Sequence, residues 1–184
     1  MRSWKTVFYN TIFGGNCLLI FLLLAENQVV IPHWLQVGGR MHPLFLHFPL
    51  VLALLAMGWE IFFSRRTTDE IWADIGDGLL LITAFSAMLT AIMGMLLSRE
   101  PGYDADAILV HKWVGILLSV LAMAWYTLRN VIRQHSWGSW GMAALAGLAL
   151  IITGHEGASI THGENFLLAP VTKEVVKPRV SLED

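Results

Sequence analysis

The sequence predicts an all-α integral membrane protein, a helical bundle of about five transmembrane helices. Of its 184 residues, 55% are hydrophobic and only 14% are charged, whereas a soluble domain carries roughly a quarter charged residues. Apolar stretches of about 20 residues, the length that crosses a bilayer as a helix, recur along the chain. The formal net charge is -2, so no basic stripe points to a nucleic-acid partner.

Five apolar spans follow one another along the chain: Val7–Ala25, Pro43–Phe63, Ile71–Leu97, Ala107–Leu128 and Trp137–Thr153. The first has basic residues before its apolar core, as a signal peptide does. Its last residues, Leu23, Leu24 and Ala25, make a poor cleavage site for a signal peptidase. We therefore interpret the first span as a retained helix.

The basic residues of the short connections predict how the spans are oriented. One side of the membrane receives Arg2, Lys5, Arg65, Arg66, Arg129 and Arg133, and the other receives Arg40, Arg99, Lys112 and the tail. The first side is richer in Lys and Arg among the short connections, so we assign it to the cytoplasm. The prediction is a multi-pass protein of a bacterial inner membrane, with a cytoplasmic N-terminus and a periplasmic C-terminus.

We divide the chain into a transmembrane domain, residues 1–168, and an extended periplasmic tail, residues 169–184. The tail is polar, contains two prolines and shows no helical period. Too few apolar residues are present for it to fold alone, so we expect it to lie on a partner.

Most of the histidines gather at one predicted membrane face. The periplasmic interface receives His33, His42, His47, His111, His155 and His162, and only His135 lies on the cytoplasmic side. His47 and His111 fall within spans, at similar depths on two different helices. Because polar side chains within spans are costly, they are usually functional. Two imidazoles at equal depth suit the two axial positions of a haem iron.

Neighbouring residues fit the same cofactor. Arg40 and Lys112 lie where haem propionates would reach water, and Gly115 would let a flat macrocycle approach the helix backbone. Cys17 is the only cysteine, so covalent attachment through a CxxCH motif is excluded. The prediction is a non-covalent haem b on His47 and His111. Two alternatives stay open: Met93 or Met95 as one axial ligand, and plain helix packing as the reason for the small residues.

Three segments carry a family resemblance. Residues Gly39–Pro49 resemble the G-R-x-H-P…H-F-P opening of bacterial predicted membrane domains associated with planctomycete-type cytochrome c proteins. His111-Lys112-Trp113 with Gly115 resembles the H-K-W-x-G step of these domains. Residues Gly154–Glu164 are similar to their closing G-H-x-G-x-x-x-T-H-G-E motif.

The resemblance implies a four-helix membrane core, here preceded by an extra N-terminal helix, and an association with respiratory cytochromes. Its motif histidines include His42, His155 and His162, which we take as second-choice metal ligands. The glycines of residues 154–163 favour a structured turn there, able to cap a haem, bind a second metal or dock a partner.

Three function classes follow. The first is a membrane-embedded b-type cytochrome subunit at the periplasmic face of a respiratory or photosynthetic complex, with a c-type cytochrome or quinol as its partner. The second is a cofactor-free anchor for a periplasmic redox protein, and the third is a metal transporter. Since no Ser-His-Asp or Cys-His set converges, we expect a non-catalytic electron-transfer subunit of an oxidoreductase complex more than an enzyme.

Overall fold

The computed structural model describes residues 4–66, 69–103, 105–163, 166 and 168–172, and this part of the chain is helical without strands. Its helices are α1 (Trp4–Leu24), α2 (His33–Arg40), α3 (His42–Phe45), α4 (His47–Phe62), α5 (Glu70–Leu97), α6 (Ala105–Ile132), α7 (Ser136–His162) and α8 (Ala169–Thr172). The predicted all-α class is confirmed. The short α8 begins the predicted tail, and residues 173–184 lie outside the described residues.

Within the described residues, α1, α5, α6 and α7 each contain a stretch long and apolar enough to cross a membrane. A fifth span forms if α2 and α3 are joined to α4, across a bend of 45°. The prediction of about five spans is therefore confirmed. The prediction of a structured turn over residues 154–163 is wrong, because α7 continues as a helix to His162. It ends at Gly163, whose φ of 92° suits glycine.

Four helices close into a core and the first helix lies against its outside. α5 packs on α4 and α6, α6 packs on α7, and α7 returns to α4, while α1 contacts α5 and α6. A buried polar contact fixes α1 in register, since Ser119 Oγ donates to Asn16 Oδ1 at 2.9 Å. Hydrogen bonds of this kind hold helices together where lipid offers no other partner.

The second span is broken by its prolines. Pro43 occupies the first turn of α3, and Pro49, lacking an N–H, cannot bond the carbonyl of Phe45 four residues earlier. The helix therefore bends at Leu46, between α3 and α4. On the N-terminal side of the bend, Gly39 touches the end of α5, where a Cβ would lie 2.7 Å from the backbone nitrogen of Leu97.

Ion pairs stabilise one end of the bundle. We call it the arginine end, and its ion-paired residues are Glu60, Asp77, Arg129 and Arg133. The fully buried Glu60 carboxylate accepts from two nitrogens of Arg133, at 2.6 and 3.1 Å. Arg133 also donates to Asp77 at 2.7 Å, and Arg129 donates to the other oxygen of Asp77 at the same distance. The network joins α4, α5 and the C-terminal end of α6.

We expect Arg133→Met to reduce the free energy of unfolding by about 3 kcal/mol, because it leaves the buried Glu60 carboxylate without its cation. Thermal unfolding in detergent measures the effect, and Arg65→Met, which changes an exposed arginine, is the matched control. The double variant Glu60→Met/Arg133→Met should recover much of the loss, since no buried charge is then unpaired. Equal melting temperatures for Arg133→Met and Arg65→Met would contradict this assignment.

Candidate functional site

Two histidines enter the end of the bundle opposite the arginine end, which we call the histidine end. His42 lies in α3, just before the bend, and its Nδ1 is 2.9 Å from the carbonyl oxygen of Thr90 on α5. His111 lies in α6, and its Nδ1 is 2.9 Å from the carbonyl oxygen of Thr153 on α7. Both side chains are partly buried.

These hydrogen bonds determine the tautomer of each ring. A carbonyl oxygen can only accept, so each Nδ1 must carry the proton and donate it. In the neutral imidazole the lone pair then remains on Nε2. Histidines that bind metals commonly donate their other ring N–H to a carbonyl in this way, which orients the ring and raises its basicity.

The two imidazoles use the same local structure. The ring of His42 lies on Gly94, four residues after Thr90, and the ring of His111 lies on Gly157, four residues after Thr153. A Cβ at these glycines would lie 3.0 Å and 3.1 Å from the respective Cε1 atoms. Each Thr-x-x-x-Gly sequence therefore forms a notch, in which the missing side chain exposes a helix carbonyl to an imidazole.

The notches bring the two rings together. Their centroids are 6.1 Å apart, and their planes meet at 89°. A metal bound by both Nε2 atoms would need a similar separation. It is the sum of two metal–nitrogen bonds of about 2.0 Å each and the two distances from nitrogen to ring centre. The Thr153 hydroxyl beside them is buried and makes no hydrogen bond to protein. Among the described residues, no group of three or more His, Cys, Asp or Glu is arranged to hold a metal ion.

His47 does not share this arrangement, because its side chain is exposed in the first turn of α4. His42 and His47 are five residues apart, about 140° around a helix, and the bend separates them further. The structure thus places His42, a second-choice ligand from the sequence, beside His111. The depth predicted from the sequence assumed that the second span begins at Pro43. In the structure, helix already begins at His33. His42 therefore lies deeper than predicted.

Arg40 and Lys112 are at the histidine end, and both pair with carboxylates. Arg40 Nε donates to Glu100 at 2.9 Å, and Lys112 Nζ donates to both oxygens of Glu26 at 2.6 and 2.7 Å. Arg99 lies 3.3 Å from the same carboxylate. Burial alone would raise the pKa of Glu26, but Lys112 and Arg99 outweigh it and hold the pKa below its ordinary value.

Among the described residues, the ring contact of the pair joins His42 and His111 to each other and not to the remaining predicted residues. A Cβ on Gly115 would meet no atom within 4 Å, so this glycine borders open space. His155 is exposed on α7, and His162 stacks on Phe166 with ring centroids 4.5 Å apart. Met95 is buried in a hydrophobic cluster with Leu19.

The fold and the histidine pair together define a multi-pass α-helical membrane protein with an interior imidazole site near one end. Comparison with protein families matches residues 38–165 to a family described as "Predicted membrane protein (DUF2231)". The chain belongs to this family. The matched residues contain both histidines and their notches, while α1 precedes them. No match was found among curated proteins or solved structures.

We expect ¹⁵N NMR of histidine-labelled protein, recorded at a pH where the rings are neutral, to show the proton of His42 and His111 on Nδ1, because each Nδ1 faces a carbonyl oxygen. His42→Gln and His111→Gln assign the two signals. Gly157→Ala should shift the His111 signal, since its new methyl group would press on the ring. Gly154→Ala is the matched control, because a Cβ there meets nothing within 4 Å. Protonation at Nε2 in either ring would contradict the proposed hydrogen bonds.

Proposed function

We propose that this protein is a membrane-embedded b-type cytochrome subunit, whose haem iron would be held by His42 and His111. The observation that carries the proposal is the pair of neighbouring imidazoles, with ring centroids 6.1 Å apart, each fixed through Nδ1 by a helix carbonyl. This leaves an Nε2 lone pair on each ring for a metal. Bis-histidine ligation is a common way of holding haem iron without a covalent attachment.

Further contacts support the fit of a haem. The site uses two neutral ligands and, among the described residues, no carboxylate cluster, which suits an iron already bound in a macrocycle better than a free cation. Open space borders Gly115, and the Thr153 hydroxyl has no protein partner. Lys112 and Arg40 supply cations at the same end, where they pair with Glu26 and Glu100. Each could also donate a hydrogen bond to a haem propionate.

A bound haem would supply reversible one-electron transfer, and the chain's own residues would set its surroundings. The Thr90 and Thr153 carbonyls would orient the imidazoles and strengthen them as ligands. The apolar helices around them would exclude water and so influence the redox potential. Nothing in this arrangement requires a substrate, so we propose an electron-transfer subunit of an oxidoreductase complex without a catalytic step of its own.

We also propose a location and a partner. The bias of Lys and Arg in the connections supports a bacterial inner membrane with the histidine end towards the periplasm. A haem there would exchange electrons with a c-type cytochrome or with quinol, within a larger membrane redox complex. The resemblance to domains associated with cytochrome c proteins supports the first of these partners.

The haem proposal is tested by optical spectra of purified protein, oxidised and dithionite-reduced. We expect a low-spin b-type spectrum that His42→Ala and His111→Ala each abolish, since either leaves the iron one ligand short. His33→Ala and His135→Ala, which change exposed histidines, should retain it.

The same spectra separate the alternatives. Loss of the spectrum in His47→Ala, with retention in His42→Ala, would restore the pair expected from the sequence. A wild-type protein without a Soret band would refute the haem and favour a cofactor-free anchor or a metal transporter.

Orientation is tested by cysteine labelling in a Cys17→Ser background. Thr161→Cys is exposed at the end of α7, and Arg65→Cys is exposed at the opposite end of the bundle. A membrane-impermeant maleimide should label Thr161→Cys in cells whose outer membrane is permeabilised, and Arg65→Cys only after lysis. The reverse pattern would place the histidine end in the cytoplasm.

A further inference from the structure

Helix α1 contacts the bundle with one face and leaves the opposite face open. The buried residues of α1 are Ile12, Asn16 and Leu19. On the opposite side lie Asn10, Gly14 and Cys17, at intervals of four and three residues that place them along one side of a helix. All three are exposed, and we define them as the outer face of α1.

Asn10 lies at a depth that belongs to the hydrocarbon. The exposed Trp4, which suits the membrane interface, precedes it by six residues, about 9 Å along the helix axis. Phe8 contacts Phe85, with ring centroids 5.2 Å apart. Phe85 is fifteen residues after Glu70, the first residue of α5, which is about 22 Å along that helix. An amide at this depth has no water to bond.

The Asn10 carboxamide has no hydrogen-bond partner among the described residues, whereas its polar neighbours on α1 have theirs. Thr11 donates to the carbonyl of Val7 at 3.0 Å, and Asn16 accepts from Ser119 at 2.9 Å. An amide without a partner in apolar surroundings costs free energy. Asn10 therefore indicates a contact that a single copy of the chain does not contain.

The chemistry of the amide selects its partner. A carboxamide has both donors and an acceptor, so two carboxamides can satisfy each other, while a lipid acyl chain offers neither group. Two copies inserted in the same orientation place Asn10 at equal depth on the same face, as a two-fold interface requires. We propose that the outer face of α1 binds α1 of a second copy, with the two helices parallel and the two Asn10 side chains hydrogen-bonded. The proposal does not rest on the haem.

Gly14 supplies the space for this contact. A Cβ there would meet no atom within 4 Å, so its missing side chain makes room for nothing inside one copy. The adjacent Gly15 differs, because it lies against Met88 of α5. A glycine one turn from a polar side chain lets two membrane helices approach closely enough to share a hydrogen bond.

The native cysteine reports on the interface. Cys17 is the only cysteine, so a disulfide between copies must join the two Cys17 residues. Oxidation of the full chain in its native membranes with copper phenanthroline should give a disulfide-linked dimer, since Cα atoms within about 7 Å can be bridged. In a Cys17→Ser background, Leu18→Cys, about 100° around the helix, should give little dimer.

Variants of the outer face test the cause. Asn10→Leu removes the amide, so it should reduce the cross-linked dimer and raise the dimer dissociation constant about tenfold. The constant is measured by energy transfer between labelled copies diluted in liposomes. Thr11→Leu is the matched control, because its hydroxyl is already bonded within α1. Gly14→Leu should abolish the dimer and leave the melting temperature of the monomer unchanged.

Four outcomes would overturn the dimer. These are equal cross-linking in the wild type and Asn10→Leu, equal cross-linking through Leu18→Cys, a monomeric wild type in liposomes, and cross-linking of Cys17 to a protein of different mass. The last would assign the outer face to another partner. His42→Ala and His111→Ala should dimerise as the wild type does, so failure of the haem proposal and failure of the dimer are separate results.

Discussion

Hydrocarbon offers no hydrogen-bond partners, so a polar group within this bundle is costly unless the protein supplies its partner. The histidine pair depends on that constraint. Each imidazole proton goes to a helix carbonyl that glycine leaves uncovered, Thr90 beside Gly94 and Thr153 beside Gly157. A carbonyl oxygen has two lone pairs, so it can accept from a side chain in addition to the helix N–H. The backbone therefore accepts the proton of each ring, and no further polar side chain is needed as the partner of either Nδ1–H.

The two halves of the core share one arrangement, in which a histidine on one helix lies in a notch of the next long helix. In each, a helix running from the histidine end towards the arginine end carries the histidine, and the next long helix returns with the Thr-x-x-x-Gly sequence. His42 uses α5 in this way and His111 uses α7. On the haem proposal, each half would supply one histidine ligand to the iron. The bend at Leu46 belongs to the same construction, because it lets α3 direct His42 inward while α4 continues at a different angle.

The fold could be predicted from the sequence because bilayer thickness imposes span length, and the apolar stretches are long enough to be recognised. Two features could not be. The glycines at 154 and 157 favour a turn in the sequence, yet α7 passes through both. At Gly157 the ring of His111 packs where a side chain would be, a close approach that membrane helices use glycine to allow. His42 and His47 could not be separated either, because the helix start, the bend and hence the facing side depend on tertiary contacts such as Gly39 against Leu97. His111, by contrast, is a candidate from its predicted depth and its motif, and the structure places it beside His42.

The contact between Asn16 and Ser119 spans 103 positions in the chain, and this separation bears on how the protein is made. Helix α1 leaves the ribosome well before α5 and α6, the helices on which it packs. Until α6 is inserted, Asn16 Oδ1 lies in lipid without the Ser119 hydroxyl that donates to it in the folded protein. During synthesis α1 can pack on α5 first, but its buried polar contact is completed only after α6 is inserted, when most of the core is present.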